Sequence, residues 1–158
     1  MRLHRWLLPA GVRLTRATRF WWVAIGTVAA GAIGWAAILG ALRFSTTRGL
    51  VVPSQLPTLL WAVPLSAAVT TGAGVAWILR PAASRRSVVG VWVGIAVAVL
   101  SHPLAWGLAA AIGGGAEWSS GVLAVSTASL RAVGWVTVPL CALGGYWTGR
   151  RFDGAICP

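Results

Sequence analysis

The stretch VVGVWVGIAVAVLSHPLAWGLAAAI, residues 88–112, contains no Arg, Lys, Asp or Glu. It is longer than the roughly 20 residues that a helix needs to cross about 30 Å of hydrocarbon. Its apolar residues form a continuous run instead of alternating with polar ones, which favours a helix over a strand of a membrane barrel. The stretch therefore predicts a transmembrane helix.

Three further stretches follow the same pattern. Residues 20–42 and 57–79 carry no charged side chain, and residues 122–147 carry only Arg131. The whole chain of 158 residues is 58% hydrophobic and 9% charged, which leaves too few charges to give a soluble globule a polar surface. We therefore predict an all-α integral membrane protein whose residues 20–147 form one four-transmembrane-helix bundle, multi-pass in the cell (plasma) membrane.

The placement of arginines predicts the orientation of this bundle. All 13 basic residues are Arg. Ten of them flank one predicted side: Arg2, Arg5, Arg13, Arg16, Arg19, Arg80, Arg85, Arg86, Arg150 and Arg151. Only Arg43 and Arg48 flank the other side, and positive charge is enriched in cytoplasmic segments. The N-terminus and the C-terminal tail, residues 148–158, are therefore both predicted to be cytoplasmic.

The basic N-terminal arm, residues 1–19, separates into two faces when its residues are placed at about 100° per residue around a helix. Apolar residues such as Leu7 and Leu14 share one face. The other face carries Arg2, Arg5, Arg13 and Arg16. This pattern predicts an interfacial helix on the inner leaflet, with anionic lipid headgroups as partners of these arginines. The alternative is a disordered basic arm that only sets the orientation of the chain.

Small residues recur every four positions in three of the predicted spans: Gly26, Ala30 and Gly34; Ala68, Gly72 and Ala76; Gly90, Gly94 and Ala98. Small side chains let helix backbones approach each other closely in lipid. Two interpretations stay open. The rows form seams inside the bundle, or they dock other membrane subunits or further copies of the chain, with Gly26, Gly34, Gly90 and Gly94 at the interface.

One group of polar residues lies inside the predicted membrane core. His102 continues the row of Gly90, Gly94 and Ala98 by one more step of four, which points it into a helix interface. Arg131 is predicted at a similar depth in the neighbouring fourth helix. We hypothesise that these two residues line one polar pocket, suited to an anion or a quinone oxygen, together with hydroxyl side chains: Ser101, Ser126, Thr127 and Ser129.

Other interpretations of the same residues are open. If residues 118–130 form a re-entrant or interfacial segment, Arg131 lies near the membrane surface, where its side chain needs no protein partner. His102 is also consistent with a hydrogen bond across a helix pair. Ligation of haem by His102 is the least favoured interpretation, and no cofactor is predicted.

Several chemistries lack the residues that they need. The predicted spans contain no Asp or Glu, which are the usual proton carriers of coupled transporters. Cys141 and Cys157 form no CxxC pair, and the sequence contains no zinc-ligand spacing, phosphate-binding glycine loop or nucleophile elbow. Membrane orientation accounts for the net charge of +11, so no nucleic-acid partner is predicted. No catalytic residues or metal ligands are predicted, and the chain is not expected to be an enzyme.

A small bundle with short loops and abundant small-residue faces is typical of an accessory, assembly or scaffold subunit of a larger membrane complex. The alternative is a small oligomeric transporter or channel, in which helices kinked at Pro64, Pro103 and Pro139 open a path near His102 and Arg131. A redox subunit that binds haem or quinone through His102 is the third possibility.

Overall fold

The computed structural model describes residues 14–47, 56–80, 85–113 and 118–153, and every regular element in these ranges is an α-helix. The helices are α1, Arg16–Thr47; α2, Leu56–Ile78; α3, Arg86–Gly113; and α4, Trp118–Arg151. Each of them is long and apolar enough to cross a membrane. The predicted all-helical class and the four predicted helices are therefore confirmed.

α1 begins a few residues before the predicted span because Thr15 caps it. The Thr15 hydroxyl accepts the backbone N–H of Thr18 at 3.1 Å, which satisfies one of the amides that a helix start leaves unpaired. The Arg19 guanidinium also donates to the Leu14 carbonyl at 3.1 Å. Residues 16–19 of the predicted arm thus belong to α1. Residues 1–13, with Arg2, Arg5 and Arg13, lie outside the described residues.

α4 is one continuous helix of 34 residues. Residues 118–130 are part of it, so they do not form a segment separate from the fourth helix. The hydroxyl groups in this stretch do not interrupt the helix, because they bond to carbonyls one turn earlier: Ser126 donates to Val122 at 2.6 Å and Thr127 to Ala124 at 2.8 Å. At 1.5 Å per residue, α4 is about 51 Å long, longer than a bilayer core requires.

Consecutive helices are antiparallel neighbours, with α1 packed on α2, α2 on α3 and α3 on α4. α2 also touches α4 over a short stretch, whereas the backbone of α1 approaches neither α3 nor α4 along the described helices, and the Trp22 ring of α1 meets Arg151 of α4 only at one end of the bundle. The four helices therefore form an open row in which α2 and α3 are central. In consequence α2 and α3 hold the largest shares of buried residues, and one side of α4 has no helix against it.

The tightest packing joins α3 to α4, whose backbones touch along a glycine seam. Three pairs make up this seam: Gly90 with Gly145, Gly94 with Cys141, and Arg86 with Gly149. A Cβ atom on Gly90 would collide with the Gly145 carbonyl, so even alanine does not fit there. The row of Gly90 and Gly94 was visible in the sequence, but its counterpart in α4 was missed, although Cys141, Gly145 and Gly149 also recur every four residues.

Glycines of α1 play the same part against α2. A Cβ atom on Gly34 would lie 2.9 Å from the Cα atom of Pro64, and one on Gly26 would lie 3.1 Å from a methyl group of Val75. All four glycines that were considered for docking other subunits, Gly26, Gly34, Gly90 and Gly94, therefore face helices of their own chain.

The chain's first and last described segments meet at one end of the bundle. Leu14, Leu79 and Phe152 are fully buried against one another there, and the Trp22 ring packs edge-on against Phe152 with 5.2 Å between ring centroids. We call this end the basic end, because it also gathers seven arginines: Arg16, Arg19, Arg80, Arg85, Arg86, Arg150 and Arg151. It is the end at which the sequence analysis expected both termini.

Candidate functional site

The structure brings two of the predicted pocket residues together. The Nδ1 atom of His102 in α3 lies 2.9 Å from the hydroxyl oxygen of Ser129 in α4, and both side chains are half-buried. Gly90 and Gly94 precede His102 on the same face of α3, so the hydrogen bond extends the glycine seam by a polar contact. His102 therefore faces the helix interface to which its position in the row pointed.

The other hydroxyl side chains do not converge on His102. Ser101 donates to the Ala98 carbonyl of its own helix at 2.9 Å, and Ser126 and Thr127 likewise bond within α4. Ser126 is buried and Thr127 is exposed. Serine and threonine hydroxyl groups that already donate to a carbonyl of their own helix do not need a ligand as a hydrogen-bond partner.

Arg131 points away from His102. It follows Ser129 by two residues, which is a rotation of about 200° around a helix, and its side chain is exposed. It makes no hydrogen bond or ion pair with any described residue. His102 and Arg131, the two central residues of the hypothesised pocket, therefore lie on different sides of α4, and His102 and Ser129 form a pair without Arg131.

The pair of His102 and Ser129 is better suited to joining two helices than to catalysis. A nucleophilic serine needs backbone N–H groups or other donors placed for the developing oxyanion. Ser129 lies within the uninterrupted α4, where the neighbouring backbone N–H groups are used by the helix itself. Within the described ranges, no group of three or more His, Cys, Asp or Glu side chains is arranged to hold a metal ion.

A second polar cluster, which was not predicted from the sequence, lies at the basic end and links the start of α3 to the end of α4. Arg86 is buried and donates from Nη1 to the Phe152 carbonyl at 3.0 Å. The Asp153 carboxylate accepts the backbone N–H of Ser87 at 3.2 Å, so an acid that follows α4 caps the first turn of α3. The sequence does contain a signal for this contact. Asp153 is one of only two acids, and it follows Gly149 by four residues, so it continues the row of Cys141, Gly145 and Gly149.

Arginines at the basic end rest on aromatic rings. Arg80 lies 4.1 Å from the centre of the Trp77 ring, and Arg151 lies 5.0 Å from that of Trp22. A guanidinium group over an aromatic face is stabilised by the ring's quadrupole and keeps part of its hydration. These pairs hold positive charge where the apolar helices end, an arrangement suited to anionic lipid headgroups.

Arg131 lies far from this end, at a level about two thirds of the way along α3 from Arg86. It precedes Cys141 by ten residues, and Cys141 lies against Gly94. Because α3 and α4 are antiparallel, the level of Arg131 corresponds to a position about ten residues beyond Gly94, near Leu104. The hydrogen bond from His102 to α4 joins the helices at about the same level.

The alignment of α2 against α3 gives an independent measure of the height of Arg131. Two contacts fix this register against α3: Gly74 lies against Val97, and Thr58 lies near Gly113. Interpolation between them puts Leu104 level with about Ala67, which is the central residue of the 23-residue α2. Arg131 therefore lies close to the middle of the bundle along the helix axes.

The residues around Arg131 form what we call the outer face of α4. Its members are Ala124, Ala128, Arg131, Ala132 and Trp135, all of them exposed. The three alanines recur every four residues, and Trp135 is 76% exposed. The outer face thus combines a row of small side chains, a large aromatic ring and a charge without a partner among the described residues.

Comparisons of the chain with protein families, with curated proteins and with solved structures find no match.

Proposed function

We propose that the chain is an integral membrane protein with four transmembrane helices and both termini in the cytoplasm, and that it serves as an accessory, assembly or scaffold subunit of a larger membrane complex in the cell membrane. The observation that carries the proposal is the outer face of α4. It is exposed along its length and includes Arg131 near the middle of the bundle. In lipid the charge of Arg131 has no partner among the described residues of this face, whereas a second helix packed against the face can supply one.

Energetics support a subunit role. On insertion scales an arginine at the centre of a membrane helix costs about 2.5 to 3.5 kcal/mol. A chain that retains this cost without an internal partner for Arg131 gains by docking on a protein that neutralises the charge. Ala124, Ala128 and Ala132 let a partner helix approach closely, and close packing drives helix association in lipid.

The distribution of charge supports the orientation. Seven arginines of the described residues lie at the basic end, and Arg43 lies near the opposite end of α1. Excess positive charge marks the cytoplasmic side. In a variant with both native cysteines replaced by serine, single cysteines added at the two termini should react only with membrane-permeant reagents in intact cells. Labelling of either terminus by an impermeant reagent would contradict the orientation.

The alternative of a small oligomeric transporter or channel has less support. A pocket built on His102 and Arg131 together requires both side chains on one side of α4, and they lie on different sides. The half-buried pair of His102 and Ser129 is explained by helix packing alone. A homo-oligomer also leaves Arg131 without an acid at its own depth, because the only acids in the chain are Glu117 and Asp153.

Purification from native membranes in a mild detergent or in lipid nanodiscs, followed by mass spectrometry, tests the subunit role. We expect an unlike membrane protein in fixed stoichiometry with the chain. The variant Ala128→Trp should abolish the complex because it fills the outer face of α4. The matched variant Ala29→Trp adds the same bulk to an exposed position of α1 and should leave the complex intact. Recovery of the chain alone, or only with copies of itself, would contradict the proposal.

A further inference from the structure

We infer that the outer face of α4 docks a transmembrane helix of an unlike protein that carries an aspartate or glutamate near mid-membrane, and that this carboxylate pairs with Arg131. The inference rests on the proposed subunit role and adds the chemistry of the partner. Three properties of Arg131 carry it: its depth, its exposure and the lack of an acid at its level in the chain.

Depth separates Arg131 from the lipid headgroups. It is level with the central part of α2, the shortest of the four helices. A bilayer core of about 30 Å leaves about 15 Å to either surface from this level, which is beyond the reach of an extended arginine side chain. A lipid phosphate therefore reaches Arg131 only if the bilayer thins locally, whereas a partner side chain at the same depth meets it directly.

Exposure places Arg131 where a partner helix packs. Arg131 lies one helical turn after Ala128 and next to Ala132 in the sequence, and these small residues leave room for a second helix backbone. Trp135 follows one turn later on the same face. A carboxylate on the approaching helix accepts two parallel hydrogen bonds from the guanidinium, the strongest arrangement available to this pair. The small residues set the close approach, and the charge selects the partner.

The partner is not a second copy of this chain. Glu117 and Asp153 are its only acids, 14 and 22 residues away from Arg131 along the sequence. Asp153 follows the last residue of α4, Arg151, and Glu117 directly precedes its first residue, Trp118, in the sequence. At 1.5 Å per residue, these two ends of α4 lie about 30 and 20 Å from Arg131. No orientation of a copy in the membrane brings either carboxylate to the middle, so the carboxylate comes from a different protein.

Reconstitution with designed helices tests this chemistry without knowledge of the natural partner. The purified full-length protein and 23-residue Leu/Ala transmembrane peptides, with Glu, Gln or Leu at the central position, are placed in phosphatidylcholine vesicles, and association is measured by energy transfer between fluorophores. We expect the protein to bind the Glu peptide at least about tenfold more tightly than the Leu peptide. The Gln peptide should fall between them, since it hydrogen-bonds without charge.

Substitutions assign the preference to one residue. Arg131→Ala should remove the preference for the Glu peptide, and Arg131→Lys should retain part of it. Arg131→Glu should reverse it in favour of a peptide with a central Lys. Arg150→Ala, which removes a charge from the end of the same helix, should leave the preference unchanged. A preference for Glu that survives in Arg131→Ala would overturn the inference.

Two further outcomes would also overturn it. Equal binding of the three peptides by the native protein would show that a carboxylate is not what the outer face selects. If the peptides bind equally and anionic lipid is enriched around the native protein but not around Arg131→Ala, Arg131 is a lipid-binding residue instead. The subunit role fails separately, if native membranes yield only copies of the chain while the Glu peptide is still preferred.

Discussion

The two sides of α4 differ in how far the rest of the chain covers them and provides partners for their polar groups. On the side toward α3, Gly145 and Gly149 touch the backbone of α3, and Ser129 bonds to His102 at 2.9 Å. On the outer face, Arg131 lies exposed among alanines at mid-height of the bundle. One side of α4 is therefore covered by the chain itself, and the other side is exposed. Small residues occur on both sides of α4, so they do not by themselves distinguish a proposed partner surface; the charge of Arg131, which has no partner among the described residues, is what sets the outer face apart.

The largest expected effect comes from breaking the glycine seam. Gly145→Ala should destabilise the folded protein by about 3 kcal/mol, because its new Cβ atom collides with the Gly90 carbonyl and the two helix backbones have to move apart. Reversible unfolding in mixed micelles measures the loss. The neighbouring Gly144 faces open space, so Gly144→Ala should change stability by less than about 0.5 kcal/mol. Equal effects of the two substitutions would show that the helices do not touch there.

A smaller effect is expected from the polar extension of the seam. His102→Ala and Ser129→Ala should each cost about 1 kcal/mol, with a coupling energy of about 0.6 kcal/mol in a double-mutant cycle, as interhelical hydrogen bonds in membranes generally give. Ser101→Ala is the control, because that hydroxyl bonds within its own helix at 2.9 Å. A coupling energy near zero would mean that His102 and Ser129 do not interact in the folded protein.

The cap at the basic end should contribute less again. Asp153→Asn should lower stability by about 0.5 kcal/mol, because the negative charge at the start of α3 is lost while a side-chain oxygen remains to accept the Ser87 amide. High salt should reduce the difference between the two proteins. Thr148→Val, which removes a hydroxyl bonded within α4, should have no measurable effect. A salt-independent loss would point to packing of the chain end instead of charge.

The smallest effect on stability is expected at Arg131. Arg131→Gln should leave the free energy of unfolding of the isolated protein within about 0.5 kcal/mol of its original value, because this side chain has no partner among the described residues. The same substitution should break the complex purified from native membranes. A large loss of stability in the isolated protein would show that Arg131 is satisfied within the chain, and the contrast between the two sides of α4 would disappear.

Much of this architecture was predictable from the sequence because lipid imposes simple rules. Uncharged stretches of about 20 residues predict helices, and the four-residue rows correctly marked Gly90 and Gly94 as close contacts. The position of His102 in such a row likewise pointed it toward α4. These features depend only on local spacing along one helix, which a sequence records directly.

The features that were not predicted from the sequence depend on which sides of the helices face each other. Arg131 and His102 were expected in one pocket because the two lie at similar depth, but depth does not say which side of a helix a residue occupies. The two-residue offset between Ser129 and Arg131 carried that information, since it corresponds to about 200° of rotation. The cap of α3 by Asp153 joins segments 66 residues apart, and no local pattern predicts such a contact.

The most direct test of the central claim is photo-crosslinking from the outer face of α4 in native membranes. A photoreactive amino acid at position 128 should form an adduct with an unlike membrane protein, and Arg131→Gln should abolish that adduct. Adducts with lipid alone, or only with further copies of the chain, would contradict the claim that this face docks a partner subunit.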